Sequence, residues 1–149
     1  MAKSQNSILS KSKELFQQFG YNKTTLTDIA KSVGKVKSAI YYYFSGKEEI
    51  FAEIVKTESK QFWQELKKSI EKHKSPEEKL HAYIHTRVQL MQKISQRYNF
   101  LKQEFFELMP IVESNRKVAD TEEKEYITKL LASHEKYKDK EYEIVQFKA

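Results

Sequence analysis

Three glycines and two prolines in 149 residues leave this chain few places to turn. That is far below average usage. Such a chain is poorly suited to many short strands, so long helices and an all-α fold class are expected. Hydrophobic residues, at 39%, suffice for a packed core, and charged residues, at 32%, solvate the surface. No stretch approaches the roughly 18 apolar residues of a membrane span. The start, MAKSQNSILSKSKELF, holds no apolar run of the signal-peptide kind. The absence of cysteine excludes disulfides, thiolate metal sites and a cysteine nucleophile, and fits a reducing compartment. A cytoplasmic protein without a membrane partner is expected.

Along the chain, Ile8, Leu9, Leu15, Phe16 and Phe19 recur at roughly helical spacing over 7–19, and Gly20 suits a C-terminal cap. Thr25-Leu26-Thr27-Asp28 reads as a capping box opening a short helix with Leu26, Ile29, Ala30 and Val33 on one side. Gly34 stops it. A third short helix is expected over 36–44, with Val36, Ile40 and Phe44 as its buried stripe. Ser45-Gly46-Lys47-Glu48 predicts a second capping box and a helix over 46–73, about 40 Å long. It carries Ile50, Phe51, Ile54, Phe62, Leu66 and Ile70, with Trp63 adjoining. Ser75-Pro76 restarts the chain as a fifth helix bearing Leu80, Ile84, Val88, Met91 and Ile94. An aromatic-rich stretch from Tyr98 to Met109 should end at Pro110, with a charged helix from about Val118 through Leu131. Residues 136–149 show only weak alternation at Tyr142, Ile144 and Phe147 and support no element.

The formal net charge of +6 has a location. Residues 1–47 hold eight lysines against Glu14 and Asp28, so the remainder of the chain is neutral. Charge this asymmetric suits a polyanion-binding module joined to something with another task, or equally a solvated lysine face. Three short helices with a glycine in the tight turn decide for a helix-turn-helix. Its second helix would enter the major groove with Lys37, Ser38, Tyr41 and Tyr42 outward and Ile40 and Phe44 inward. Lysine donates to guanine, serine to either kind of base pair, and tyrosine to phosphate or against a thymine methyl. Lys47, at the next helix N-terminus, is placed to grip a phosphate. Packing between helices is the competing role for Tyr41, Tyr42 and Tyr43.

Phe19-Gly20-Tyr21, Thr24-Thr25-Leu26-Thr27-Asp28-Ile29-Ala30, Gly34, Ile40-Tyr41-Tyr42-Tyr43-Phe44 and Lys47-Glu48 stand in one register over 8–52. In this the sequence resembles the TetR/AcrR family of bacterial transcriptional regulators. The resemblance implies a helix-turn-helix domain (1–46) joined by a long helix to a helical ligand-binding and dimerisation domain (47–149), shorter than the family's usual. It implies phosphate contacts from Thr25 or Thr27, Tyr43 and Lys47, and base or groove contacts from Lys37, Ser38, Tyr41 and Tyr42. Lys35 and Val36 depart from a usual valine and capping serine, and Ala39 replaces a common phosphate-contacting threonine.

The resemblance further implies a homodimer on a DNA operator, acting as a repressor released by an unidentified small-molecule effector. Candidate pocket residues are Phe62, Trp63, Tyr83, Met91, Phe100, Phe105, Phe106 and Met109; aromatics at helical spacing are also ordinary core. The effector would be largely apolar. A DNA-binding remnant lacking normal dimerisation or effector control is the alternative. Glu77, His81 and His85 share a helix face, as metal ligands or as surface histidines. No cofactor is expected. An enzyme is disfavoured, since no nucleophile–base pair, phosphate loop or carboxylate dyad occurs in a recognisable setting. A membrane-surface role would leave the helix-turn-helix without a task.

Overall fold

The computed structural model describes residues 2–134. Six α-helices run in order: α1 (Ala2–Phe19), α2 (Leu26–Ser32), α3 (Lys37–Tyr41), α4 (Lys47–Ile70), α5 (Pro76–Arg97) and α6 (Phe105–Ala132), with a 3-10 turn at Asn99–Lys102. No strand occurs among the described residues, and the fold is all-α. The weakly alternating 136–149 stretch lies outside them. The chain divides into two compact units, Met1–Glu58 with Ile94–Arg116, and Ser59–Lys93 with the described residues from Lys117 on. The segment 1–46 therefore lies within a larger unit that includes the start of α4 and the start of α6.

In the first unit, Ile8, Ser12 and Phe16 line the buried face of α1, while Phe19 is 53% exposed. Gly20, at φ +87°, ends the helix, its N–H donating to the Phe16 carbonyl at 2.9 Å. Thr25 and Asp28 close the expected capping box on α2. After it, Gly34 at φ +66° donates to Lys31 O and Lys35 N–H donates to Ala30 O, the paired bonds of a Schellman ending. Ile29, Ala30, Ile40, Phe44, Ile50, Phe51 and Ile54 form one core with Ile8, Phe16, Tyr21 and Leu108. Phe16, Tyr21 and Phe51 pack ring against ring at 5.3–6.0 Å. That core fixes α2 against α3.

Three details of this unit depart from the sequence expectations. At the start of α4, Glu49 rather than Glu48 reaches back to the Ser45 N–H, at 2.6 Å, because the helix begins one residue later than the box assumed. Val36 is 68% exposed, not part of the buried stripe. It sits at the N-cap with extended backbone (φ −87°, ψ 155°), so the i, i+4 spacing that buries Ile40 and Phe44 does not reach it. Pro110 lies inside α6 instead of ending it. The i−4 carbonyl to which it cannot donate is that of Phe106, on the exposed first turn, while Leu108, Ile111 and Val112 beside it pack on the core.

The second unit packs Trp63, Leu66, Ile70, Leu90 and Leu130, with Phe62, Tyr83, Ala119, Tyr126 and Ile127 against them. The buried Glu123 carboxylate accepts from Tyr83 Oη at 2.7 Å and Arg87 Nε at 2.9 Å. Satisfying that carboxylate turns the Ala82–Tyr83–Thr86–Arg87–Leu90 side of α5 inward. Ile84, Val88 and Met91, read as its apolar face, are exposed.

Candidate nucleic-acid interface

α3 and its C-cap carry the outward array of side chains that helical spacing predicts. Ile40 and Phe44 are buried beneath it, and Lys37, Ser38, Tyr41 and Tyr42 are exposed. The Lys37 ammonium stands 6.0 Å from the Tyr41 ring centroid, at the outer reach of a cation–π contact. Tyr43 is half-buried and packs edge-on against Tyr42 at 5.0 Å, so it joins the array to the core. Lys31 and Lys35 lie exposed on the preceding helix and turn, in a cationic frame around the array.

The phosphate-contact candidates differ from one another. Thr27 is exposed on α2 and makes no capping bond. Thr25 is exposed, but its hydroxyl donates to Asp28 Oδ2 at 2.6 Å and accepts the Asp28 N–H at 3.1 Å. The Thr25 hydroxyl first, then the Thr25 backbone N–H donating to the same oxygen at 2.9 Å, hold the Asp28 carboxyl below its ordinary pKa. Lys47 points inward. Its ammonium donates to the carbonyls of Tyr21 at 2.7 Å and Thr24 at 3.1 Å, and stands 4.2 Å from the Tyr21 ring centroid. Burial lowers the Lys47 pKa, with Glu104 and Glu107 opposing. Burial first, then Glu48, Glu107 and Glu104, push the Tyr21 hydroxyl up to about 12.

Glu104 was invisible as a functional residue in the sequence. Its carboxylate accepts the N–H groups of Tyr21 at 3.0 Å and Asn22 at 2.8 Å, while Glu107 accepts from the Asn22 side chain at 2.8 Å. The α1–α2 turn is thus held by Lys47 on its carbonyls and by Glu104 on its N–H groups. No local pattern announces a pairing across more than 80 residues.

The eight effector-pocket candidates fall in both units, four in each. In the second unit Trp63 is buried, Phe62 and Tyr83 are half-buried in the core, and Met91 is 42% exposed. In the first, Phe100 packs on the core and Met109 is half-buried, but Phe105 and Phe106 are exposed. A cleft of about 710 Å³ in the first unit, between Ser45–Ala52 and Pro110–Asn115, is bordered by none of the eight. On α5, His81 and His85 stack at 6.4 Å, while Glu77 bonds His134 at 3.0 Å. No group of three or more potential metal ligands gathers among the described residues, and no described helix is long and apolar enough to cross a membrane.

The glycine-ended helix pair, its outward array and its lysine frame coincide with a family model. Residues 8–54 match the N-terminal domain described as bacterial regulatory proteins, tetR family. This segment belongs to the tetR family. Over 76 residues the chain is 40% identical to the HTH-type transcriptional regulator QacR of Staphylococcus aureus, which covers 51% of this chain and 40% of QacR. It is 50% identical over 42 residues to the S. aureus negative transcriptional regulator of the biofilm operon icaADBC, IcaR, covering 28% of this chain and 23% of IcaR. The chain thus spans well under half of these relatives. Among solved structures, a TetR/AcrR-family transcriptional regulator from Thermobifida fusca aligns at TM-score 0.71 and 28% identity, over 86% of this chain and 68% of that one. The tetR-type likeness therefore extends past the helix-turn-helix into the helices that follow.

Proposed function

We propose that this chain is a DNA-binding transcriptional regulator that places α3 in the major groove of an operator. The observation that carries the reading is the outward array of Lys37, Ser38, Tyr41 and Tyr42 on a helix anchored by buried Ile40 and Phe44. These side chains can read base edges and phosphates, and the anchored helix lets them do so at fixed positions. Thr27 and the lysine frame supply backbone contacts; Thr25 and Tyr43 flank them. Residues 1–46 form the reading head and the remaining helices the regulatory part.

A homodimer presenting two heads to a palindrome, acting as a repressor released by a small effector in the cytoplasm, completes the reading by analogy with the tetR family. Ligand release requires two states whose head spacing differs and whose effector affinity differs. Selection of the purified chain on a random duplex library, with sequencing of the bound DNA, tests this. Two inverted half-sites support a dimeric reader. One half-site supports a reading head without dimerisation, and no enrichment at low salt removes the DNA-binding claim.

A further inference from the structure

The one large apolar side chain that α3 ought to bury and does not is Val36. It is an N-cap with no side-chain cap bond, and 68% exposed. Valine is among the poorest N-caps, lacking any oxygen to accept an orphan helix N–H. Left in water, it also forfeits the stabilisation that burying its methyls would bring. It thus gives α3 neither a cap nor much buried apolar surface. Such unrepaired local conflicts concentrate where a surface serves binding.

Its neighbours select the partner. Lys35 and Lys37 flank Val36 in sequence and are exposed, as are Ser38, Tyr41 and Tyr42 just after it. A cationic rim around a valine disfavours an apolar protein partner and suits a polyanion that carries an isolated methyl group. Duplex DNA has one. In unmodified DNA only thymine projects a methyl into the major groove. Resting on the reading of α3 as the groove-entering helix, we propose that Val36 is a specificity-determining residue that packs its γ-methyls against the 5-methyl of one thymine in each half-site. The contact removes two apolar surfaces from water and discriminates against cytosine, which lacks the methyl at that place. Lys37, beside it, reads the adjoining base edge.

The full chain is first subjected to the library selection, and each thymine of its site is then replaced singly by deoxyuridine, which deletes only the methyl. The wild-type protein should lose about threefold to tenfold in affinity at one thymine per half-site. Val36→Ser should bind thymine and deoxyuridine there equally, yet show a higher Tm, since serine caps the helix that valine leaves open. Val36→Ala, which removes methyls without adding a cap, should lose the same discrimination without that gain. An identical deoxyuridine profile for wild type and both variants, with site-selective binding intact, overturns the role of Val36 alone. Failure of the wild type to enrich any sequence overturns the DNA-reading proposal beneath it.

Discussion

The Lys47 ammonium lies 4.2 Å from the centre of the Tyr21 ring and donates to that residue's carbonyl at 2.7 Å. A lysine at the head of α4 thereby closes the α1–α2 turn from inside. Lys47→Ala should cost about 1–3 kcal/mol of unfolding free energy, since two carbonyls lose their charged donor. Because the ammonium is engaged inward, the slope of log affinity against log salt should stay unchanged. A slope shallower by about one would return Lys47 to the phosphate-gripping role that its position in the sequence suggests. Urea titration and binding at several salt concentrations separate the two.

Lys37→Ala should act on specificity instead. If Lys37 reads a base edge, its loss relaxes preference at one position by about 1–3 kcal/mol while random-sequence binding changes little. Equal weakening on specific and random duplexes would place Lys37 on a phosphate.

Glu104→Ala should loosen the same turn from its other side. The carboxylate accepts two backbone N–H groups, from Tyr21 and Asn22, and these bonds are charge-assisted. A loss of about 1–2 kcal/mol is expected, part of it recovered by water at the exposed Asn22. Hydrogen exchange should speed at Tyr21 and Asn22. Unchanged exchange there would mean the turn holds itself.

Asp28 makes the α2 cap sensitive to acid. Its folded pKa lies below the ordinary 3.8, so folding favours the carboxylate. The contribution is complete above that ordinary value and is lost as pH falls through the lowered one. Glu49 and Glu78, each accepting a backbone N–H ahead of its helix, follow the same rule from 4.5 downward. Thermal melts of Asp28→Asn should therefore show lower stability at neutral pH and a shallower decline below about pH 4. A parallel decline in both proteins would remove Asp28 from the acid response.

In the second unit, Glu123→Ala strands Arg87 and the Tyr83 hydroxyl. A loss of about 2–3 kcal/mol is expected, less than a fully buried pair would show, because the Arg87 side chain keeps 33% exposure. Adding Arg87→Met should recover part of it. Denaturant midpoints of the single and double variants measure both steps.

The helices and their ends near the reading head could be deduced from the sequence because their determinants are local. Thr25 and Asp28 meet within three residues, and Gly20 and Gly34 supply positive φ where a helix must stop. The placement of Ile40 and Phe44 below Tyr41 and Tyr42 follows from helical periodicity alone. The same periodicity misplaced Val36, since an N-cap residue does not share the helical backbone that the spacing assumes. It also chose the wrong face of α5, where a buried carboxylate on α6 draws Tyr83 and Arg87 inward and leaves Ile84 and Val88 outside.

What the sequence determined by itself was the run of helices through α5, the capping box of α2 and the outward side chains of α3, because hydrogen bonds to near neighbours and the 3.6-residue repeat depend on spacing along the chain. The tertiary structure decided which way Lys47 points, what Glu104 holds, whether Pro110 breaks a helix and which residues line a core. Each of these depends on desolvating a polar or apolar group against a partner many residues away. The free energy of that step is set by the partner's identity and distance, and neither is encoded in local spacing.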